Sequence, residues 1–200
     1  ILPWMHLYVG PDGNVLPCCV ADQNYPIGNI EDASIDSIMK SDTMNTIRQN
    51  MLSGYRSKEC KHCYNKEDNN LRSLRIAQNI EWKDRYQTSY SSTIQKFNPI
   101  YLDIRLNNIC NLKCRMCSGY FSSSIAQEDK QFYGTPIKNL NFKQRNLALE
   151  EILEYVPIAK KIYFAGGEPL LAKEHYSILE KLIQTNNLDL EIVYNTNFTT

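Results

Sequence analysis

The stretch IYLDIRLNNICNLKCRMC, residues 100–117, decides how this chain is read. Its first seven residues, IYLDIRL, read as a strand. The polar loop after it carries Cys110, Cys114 and Cys117 at C-x3-C-x2-C spacing. Three thiols are an odd number for disulfides and one short of the four ligands that close a structural zinc site. On one short loop they suit three irons of a [4Fe–4S] cluster, leaving the fourth iron open to an outside ligand.

The pattern downstream repeats strand, loop and helix. FSSSIAQEDKQFYG reads as a helix, and RNLALEEILEYV as a strongly periodic one that Pro157 stops. KKIYFAGGEPLL is a strand running into a Gly-Gly turn. EHYSILEKLIQTN is a helix and LEIVYNTN a further strand. Strands alternating with helices predict a parallel sheet and an α/β fold. The triple cysteine, GGEP and NTN each follow a strand directly. In a parallel sheet or barrel those places lie together at the carboxyl ends of the strands, where ligands bind. Three motifs far apart in sequence are therefore expected in one pocket.

Upstream, residues 1–70 read as a small cysteine-bearing α+β unit. LYVGPDGNVLPCC is a hairpin with Pro11-Asp12-Gly13 as its turn. ASIDSIMKSDTMNTIRQNMLSG has helical periodicity, with Ser34 and Ser41 (or Asp42) as N-cap candidates and Gly54 as the stop. Residues 71–98 read as a helical linker and 99–200 as the α/β part. The seven cysteines fall in three groups: Cys18-Cys19, Cys60/Cys63 and the loop trio. Close spacings with no secretory signal favour metal or cluster ligation in a reducing, cytoplasmic setting. His6 reads as a strand residue, His62 points away from its neighbouring cysteines, and His175 falls in the first turn of a surface helix. Trp4 and Trp82 read as packing residues.

Composition excludes little but points consistently. Lys+Arg and Asp+Glu are equal at 22 each, so no basic stripe supports binding of nucleic acid through phosphates. No apolar run reaches the length of a membrane span. With 42% hydrophobic residues the chain has the content of an ordinary folded domain. Both ends read as cut, and only about three barrel strands are expected. A piece of this kind leaves strand faces uncovered, so in isolation it is expected to be insoluble or inactive.

CNLKCRMC resembles the cluster motif of the radical SAM superfamily, and Cys110, Cys114 and Cys117 match its three ligands. AGGEP is similar to that family's second motif. The resemblance implies that Gly166, Gly167 and Pro169 shape the contact with the methionine part of S-adenosylmethionine and that Glu168 helps hold its amino group. YNTN resembles the next motif through Thr196 and Asn197, with Phe198 where the family usually has glycine. Met116 stands where an aromatic residue often precedes the last cysteine, leaving its backbone to meet the adenine. The first seventy residues resemble the SPASM and twitch accessory domains. By that resemblance Cys18, Cys60 and Cys63 hold an auxiliary [4Fe–4S] or [2Fe–2S] cluster, with Cys19 an alternative ligand or a packed thiol. The fold implied is a partial (β/α) barrel behind a small twitch-like domain. The activity implied is reductive cleavage of S-adenosylmethionine to methionine and a 5′-deoxyadenosyl radical that abstracts hydrogen from a substrate. By family analogy the substrate is a peptide or protein before a small molecule, and a flavodoxin or ferredoxin supplies the electron. No catalytic residue is identified beyond the cluster ligands. Besides radical chemistry on RNA, against which the absence of net positive charge counts, two other readings stay open. One is a non-enzymatic electron-transfer module. The other is a structural zinc site made by Cys18, Cys19, Cys60 and Cys63.

Overall fold

The computed structural model describes the chain except residues 87–89, 137–138, 140–141 and 200. Part of the expected linker therefore lies outside the described residues. The first elements are α1 (Leu2–Met5), β1 (His6–Val9), β2 (Asn14–Leu16), β3 (Gly28–Asn29), α2 (Ile35–Met39), α3 (Asp42–Leu52), α4 (Lys61–Asp68) and α5 (Leu74–Trp82). They are followed by β4 (Tyr101–Ile104), α6 (Ser123–Tyr133), α7 (Phe142–Tyr155), β5 (Lys161–Phe164), α8 (Lys173–Gln184) and β6 (Glu191–Tyr194).

Local chemistry accounts for many of these boundaries. Ser34 and Ser41 cap α2 and α3, each accepting a backbone N–H at 3.3 Å. Gly54, at φ +75°, takes the left-handed conformation that ends a helix. Asp12 closes the β1–β2 turn by accepting the Asn14 N–H at 3.2 Å, and Gly13 there has φ +82°. The periodic helix α7 gives way at Val156–Ile158 to a short 3-10 turn containing Pro157.

The strands form one sheet in the order β3-β2-β1-β4-β5-β6. β1, β4, β5 and β6 are parallel to one another, while β2 and β3 are antiparallel additions. The sequence pattern identified β1 only as half of a hairpin. Its parallel pairing with β4, His6 opposite Tyr101 through Val9 opposite Ile104, runs the sheet across the expected boundary at residues 71–98.

Alternation along the strands gives the sheet two unlike faces. Leu7 and Val9, Leu102 and Ile104, and Ile162 and Phe164 are buried on one face. There they join Ile38 and Met39 of α2, Met44 and Ile47 of α3, Ile152 of α7, and Ile178 and Leu182 of α8 in the main core. The opposite face is aromatic and charged: Tyr8, Asp103 and Tyr163 lie side by side in register. Trp82 of α5 covers one end of this face, stacking on Tyr101 with ring centroids 5.9 Å apart.

Candidate active site and the cysteine centres

The loop between β4 and α6 carries the cysteine trio. It is held from below by the serines at the start of α6. Ser122, fully buried, caps α6 by accepting the Ile125 N–H at 3.4 Å and donates its hydroxyl to the Leu112 carbonyl at 2.8 Å. Ser124 donates to the Cys110 carbonyl at 2.8 Å, and Ser123 accepts the Cys110 N–H at 3.2 Å. The run Ser122-Ser123-Ser124 reads in sequence only as a helix start. Its second task, fixing a loop ten residues back, is visible only in three dimensions.

The turn after β5 lies directly against this loop. The Glu168 N–H bonds the Ile109 carbonyl at 2.6 Å and the Gly167 N–H bonds the Asn107 carbonyl at 3.3 Å. A Cβ on Gly167 would sit 2.1 Å from the Ile109 oxygen, so only glycine fits. Gly166 has φ +109°, a conformation that glycine adopts readily. The glycines were expected to admit a ligand. The space a side chain would take at Gly167 is filled by the protein's own backbone. Both nevertheless line the cavity described below.

Glu168 is buried and joins the motif after β5 to the one after β6. Its Oε1 accepts the Leu170 N–H at 3.1 Å and the Thr196 hydroxyl at 2.6 Å, and its Oε2 accepts the Asn197 N–H at 2.7 Å. The Asn197 side-chain amide in turn donates to Asn111 Oδ1 at 3.1 Å and approaches Cys110 Sγ at 3.8 Å. Phe198, in the place of the expected glycine, has φ +54°, a left-handed conformation that disfavours a bulky residue.

These parts enclose one cavity of about 490 Å3. Cys110, Cys114, Met116, Cys117, Gly166, Gly167, Glu168, Thr196 and Asn197 all line it. Pro169 lies in a separate small crevice with Asn107 and His175. Cys114 is exposed, and Met116 is 96% exposed. Three cavity residues had no signal in the sequence, Arg105, Ser118 and Phe121. Arg105 stands two residues past Asp103 on the charged face and pairs with it, Nε to Oδ1 at 2.7 Å and Nη2 to Oδ2 at 3.1 Å. His175 is in the first turn of α8 but is buried, not on the surface. Its Nε2 meets the Tyr194 hydroxyl at 2.8 Å and its ring packs edge-on to Phe164.

The other four cysteines divide. Cys18, Cys60 and Cys63 line one narrow crevice of about 30 Å3, beside Leu74 and Gln78 of α5. Burial pushes the Cys18 and Cys60 thiols up to about 12, so as free thiols they are neutral. Cys19 does not line that crevice. Like Cys18 it packs with Tyr8, Leu16 and Ala21, and burial raises its pKa as well. His62 is exposed and His6 is buried, its pKa lowered to about 3 by burial.

The donor chemistry of both cysteine centres fits iron–sulfur ligation. The loop trio offers three thiols around a roomy cavity, with a buried carboxylate and amide beside them. The Cys18 crevice has the thiols but holds about one water-sized group, so its walls must part to seat a cluster. Among the described residues no three His, Cys, Asp or Glu side chains converge closely enough to hold a single metal ion. A cluster differs from a single ion in spreading its thiolates over separate irons. Also among the described residues, no helix is long and apolar enough to cross a membrane.

Comparison with known proteins follows the same division. Residues 1–64 match the SPASM iron–sulfur cluster-binding domain. Residues 104–200 match the Radical SAM superfamily. No curated protein and no solved structure matches the chain. The chain thus matches a SPASM iron–sulfur cluster-binding domain model in its first third and a radical SAM superfamily model in its second half, the pairing that its cysteine spacings resemble.

Proposed function

We propose that the chain belongs to an enzyme that cleaves S-adenosylmethionine reductively and uses the resulting radical on a peptide or protein substrate. The observation that carries this reading is the convergence of three strand-end motifs on one cavity, with three thiols on one wall and the buried Glu168 on another. Cys110, Cys114 and Cys117 would hold a [4Fe–4S] cluster, which with an electron from a reductant would supply the reductive cleavage of S-adenosylmethionine.

The chain's own residues bind and orient. A carboxylate has about four lone-pair sites. Glu168 uses two on Oε1 and one on Oε2, which leaves Oε2 an acceptor for the cofactor's ammonium group. Thr196 and Asn197 hold that carboxylate in place. Asn197 also stands against Cys110, where an N–H donor to a thiolate influences the cluster's electronics. The exposed Cys114 and Met116 leave the loop open to a reductant such as a flavodoxin or ferredoxin. Cys18, Cys60 and Cys63 are the ligands assigned to an auxiliary cluster. A cytoplasmic location suits chemistry that needs reduced thiols.

The test is direct. The protein is reconstituted anaerobically with iron and sulfide, reduced, mixed with S-adenosylmethionine, and assayed for 5′-deoxyadenosine. Formation is expected in the unmodified protein and loss of it in Cys114→Ala. No 5′-deoxyadenosine from a protein shown to hold a reduced [4Fe–4S] cluster would favour the electron-transfer reading.

A further inference from the structure

Asn107 follows β4 and stands three residues ahead of Cys110. It is buried, and its polar atoms reach in three directions. Its side-chain oxygen accepts the Ile109 N–H at 3.1 Å, and its backbone carbonyl accepts the Gly167 N–H at 3.3 Å. Its side-chain amide donates to Glu174 Oε2 at 3.1 Å. Ile109 in turn accepts the Glu168 N–H through its carbonyl. Glu174 lies in the first turn of α8, where an acid already suits the helix dipole. Its other oxygen, Oε1, pairs with Arg145 Nε of α7 at 3.1 Å. A row of polar contacts therefore runs from α7 through α8 to the base of the cysteine loop. Asn107 and Glu174 line the small crevice beside His175, and neither lines the cavity of the loop.

We propose that Asn107 and Glu174 are a positioning pair: the Glu174 carboxylate on α8 holds the Asn107 amide, and Asn107 fixes Ile109, so that Cys110 and Glu168 keep their places around the cavity. The pair acts through these two residues and lies outside the cavity itself. What Cys110 and Glu168 do there rests on the function proposed above. The bond between 107 and 174 has a fixed polarity, with an amide donating and a carboxylate accepting. Asn107→Asp keeps the acceptor for the Ile109 N–H but sets two carboxylates against each other. The site is largely shut off from water, so that repulsion is poorly screened. Adding Glu174→Gln restores the bond in the opposite sense, the amide now on α8 and the carboxylate on the loop.

The experiment compares Asn107→Asp, Glu174→Gln and the double variant with the unmodified protein. In the metal-free chain, mass spectrometry follows how fast iodoacetamide alkylates Cys110, with the buried Cys60 as internal control. Asn107→Asp is expected to speed alkylation of Cys110 roughly three- to tenfold, the size of one hydrogen bond, and to leave Cys60 unchanged. The double variant is expected to return Cys110 to the rate of the unmodified protein. In the reconstituted protein, affinity for S-adenosylmethionine is expected to fall in Asn107→Asp and recover in the double variant. An unchanged Cys110 rate in Asn107→Asp, or no recovery in the double variant, would overturn the pairing. A parallel rise at Cys60 would report general destabilisation, and a constant affinity beside a faster Cys110 would confine the pair to loop structure. Either result would overturn the positioning role. Should Asn107→Asp fail to fold, Glu174→Gln carries the test. It weakens the same bond by removing the charge, so Cys110 is expected to react about two- to threefold faster, and an unchanged rate would overturn the proposal. If the unmodified protein binds no S-adenosylmethionine, the function proposed above fails, and the alkylation rates still decide the pairing.

Discussion

At Gly167 the turn after β5 leaves no room for a side chain. In sequence, AGGEP reads as a turn that brings backbone close to a ligand. In the folded chain the close approach is to the Ile109 carbonyl, 2.1 Å from where a Cβ would stand. The obstruction is backbone, which has no rotamer to change. Gly167→Ala is therefore expected to lower stability by about 3 kcal/mol, near the upper end for overpacking. It should also displace the cysteine loop, which two hydrogen bonds tie to this turn. Denaturant melts and iron retention measure both effects, and an unchanged melt would show that the loop yields freely. Thr196 and Asn197 were likewise singled out by motif, but their hold on Glu168 depends on distances between separate strands.

Among the elements, α6 does the most that its pattern does not announce. No side chain of α6 is buried, so packing contributes little to it and its N-terminus matters more. Ser122, just ahead of it, both caps the helix and anchors Leu112 in the cysteine loop. Ser122→Ala is expected to cost about 2 kcal/mol, combining a lost cap with a lost buried hydrogen bond. Iron should also leave the loop faster on chelator challenge, while the Cys60 and Cys63 centre is unaffected. A chelation rate equal to that of the unmodified protein would assign Ser122 to helix capping alone. Strands and helices along the chain were legible because their periodicities are local. The burial of His175 was not, since a helix face is decided by what packs on it, here Phe164 and Tyr194.

Across the whole molecule, the two halves share a sheet. β1 pairs with β4 along its full length, and the Tyr120 hydroxyl donates to Asp12 at 2.8 Å, linking the region after the cysteine loop to the hairpin turn. A chain cut to residues 99–200 would bare the β4 edge and strip α2 and α3 from the core. It is expected to aggregate, whereas residues 1–200 should remain the better-behaved species by size-exclusion chromatography. A monomeric 99–200 piece with a cooperative melt would show that the shared sheet is dispensable.

The sequence by itself determined the order of strands and helices from β4 onward, the caps at Ser34 and Ser41, and the three cysteine groups. It also determined that the loop trio, GGEP and NTN would meet, because parallel strands with helical crossovers bring their carboxyl ends to one edge. Tertiary structure alone decided that β1 joins β4, that Cys18 but not Cys19 lines the crevice of Cys60 and Cys63, and that Arg105 belongs to the cavity. Each of these depends on contacts between residues far apart in the chain. Such contacts form only when a whole face is buried at once, so no local pattern of residues encodes them.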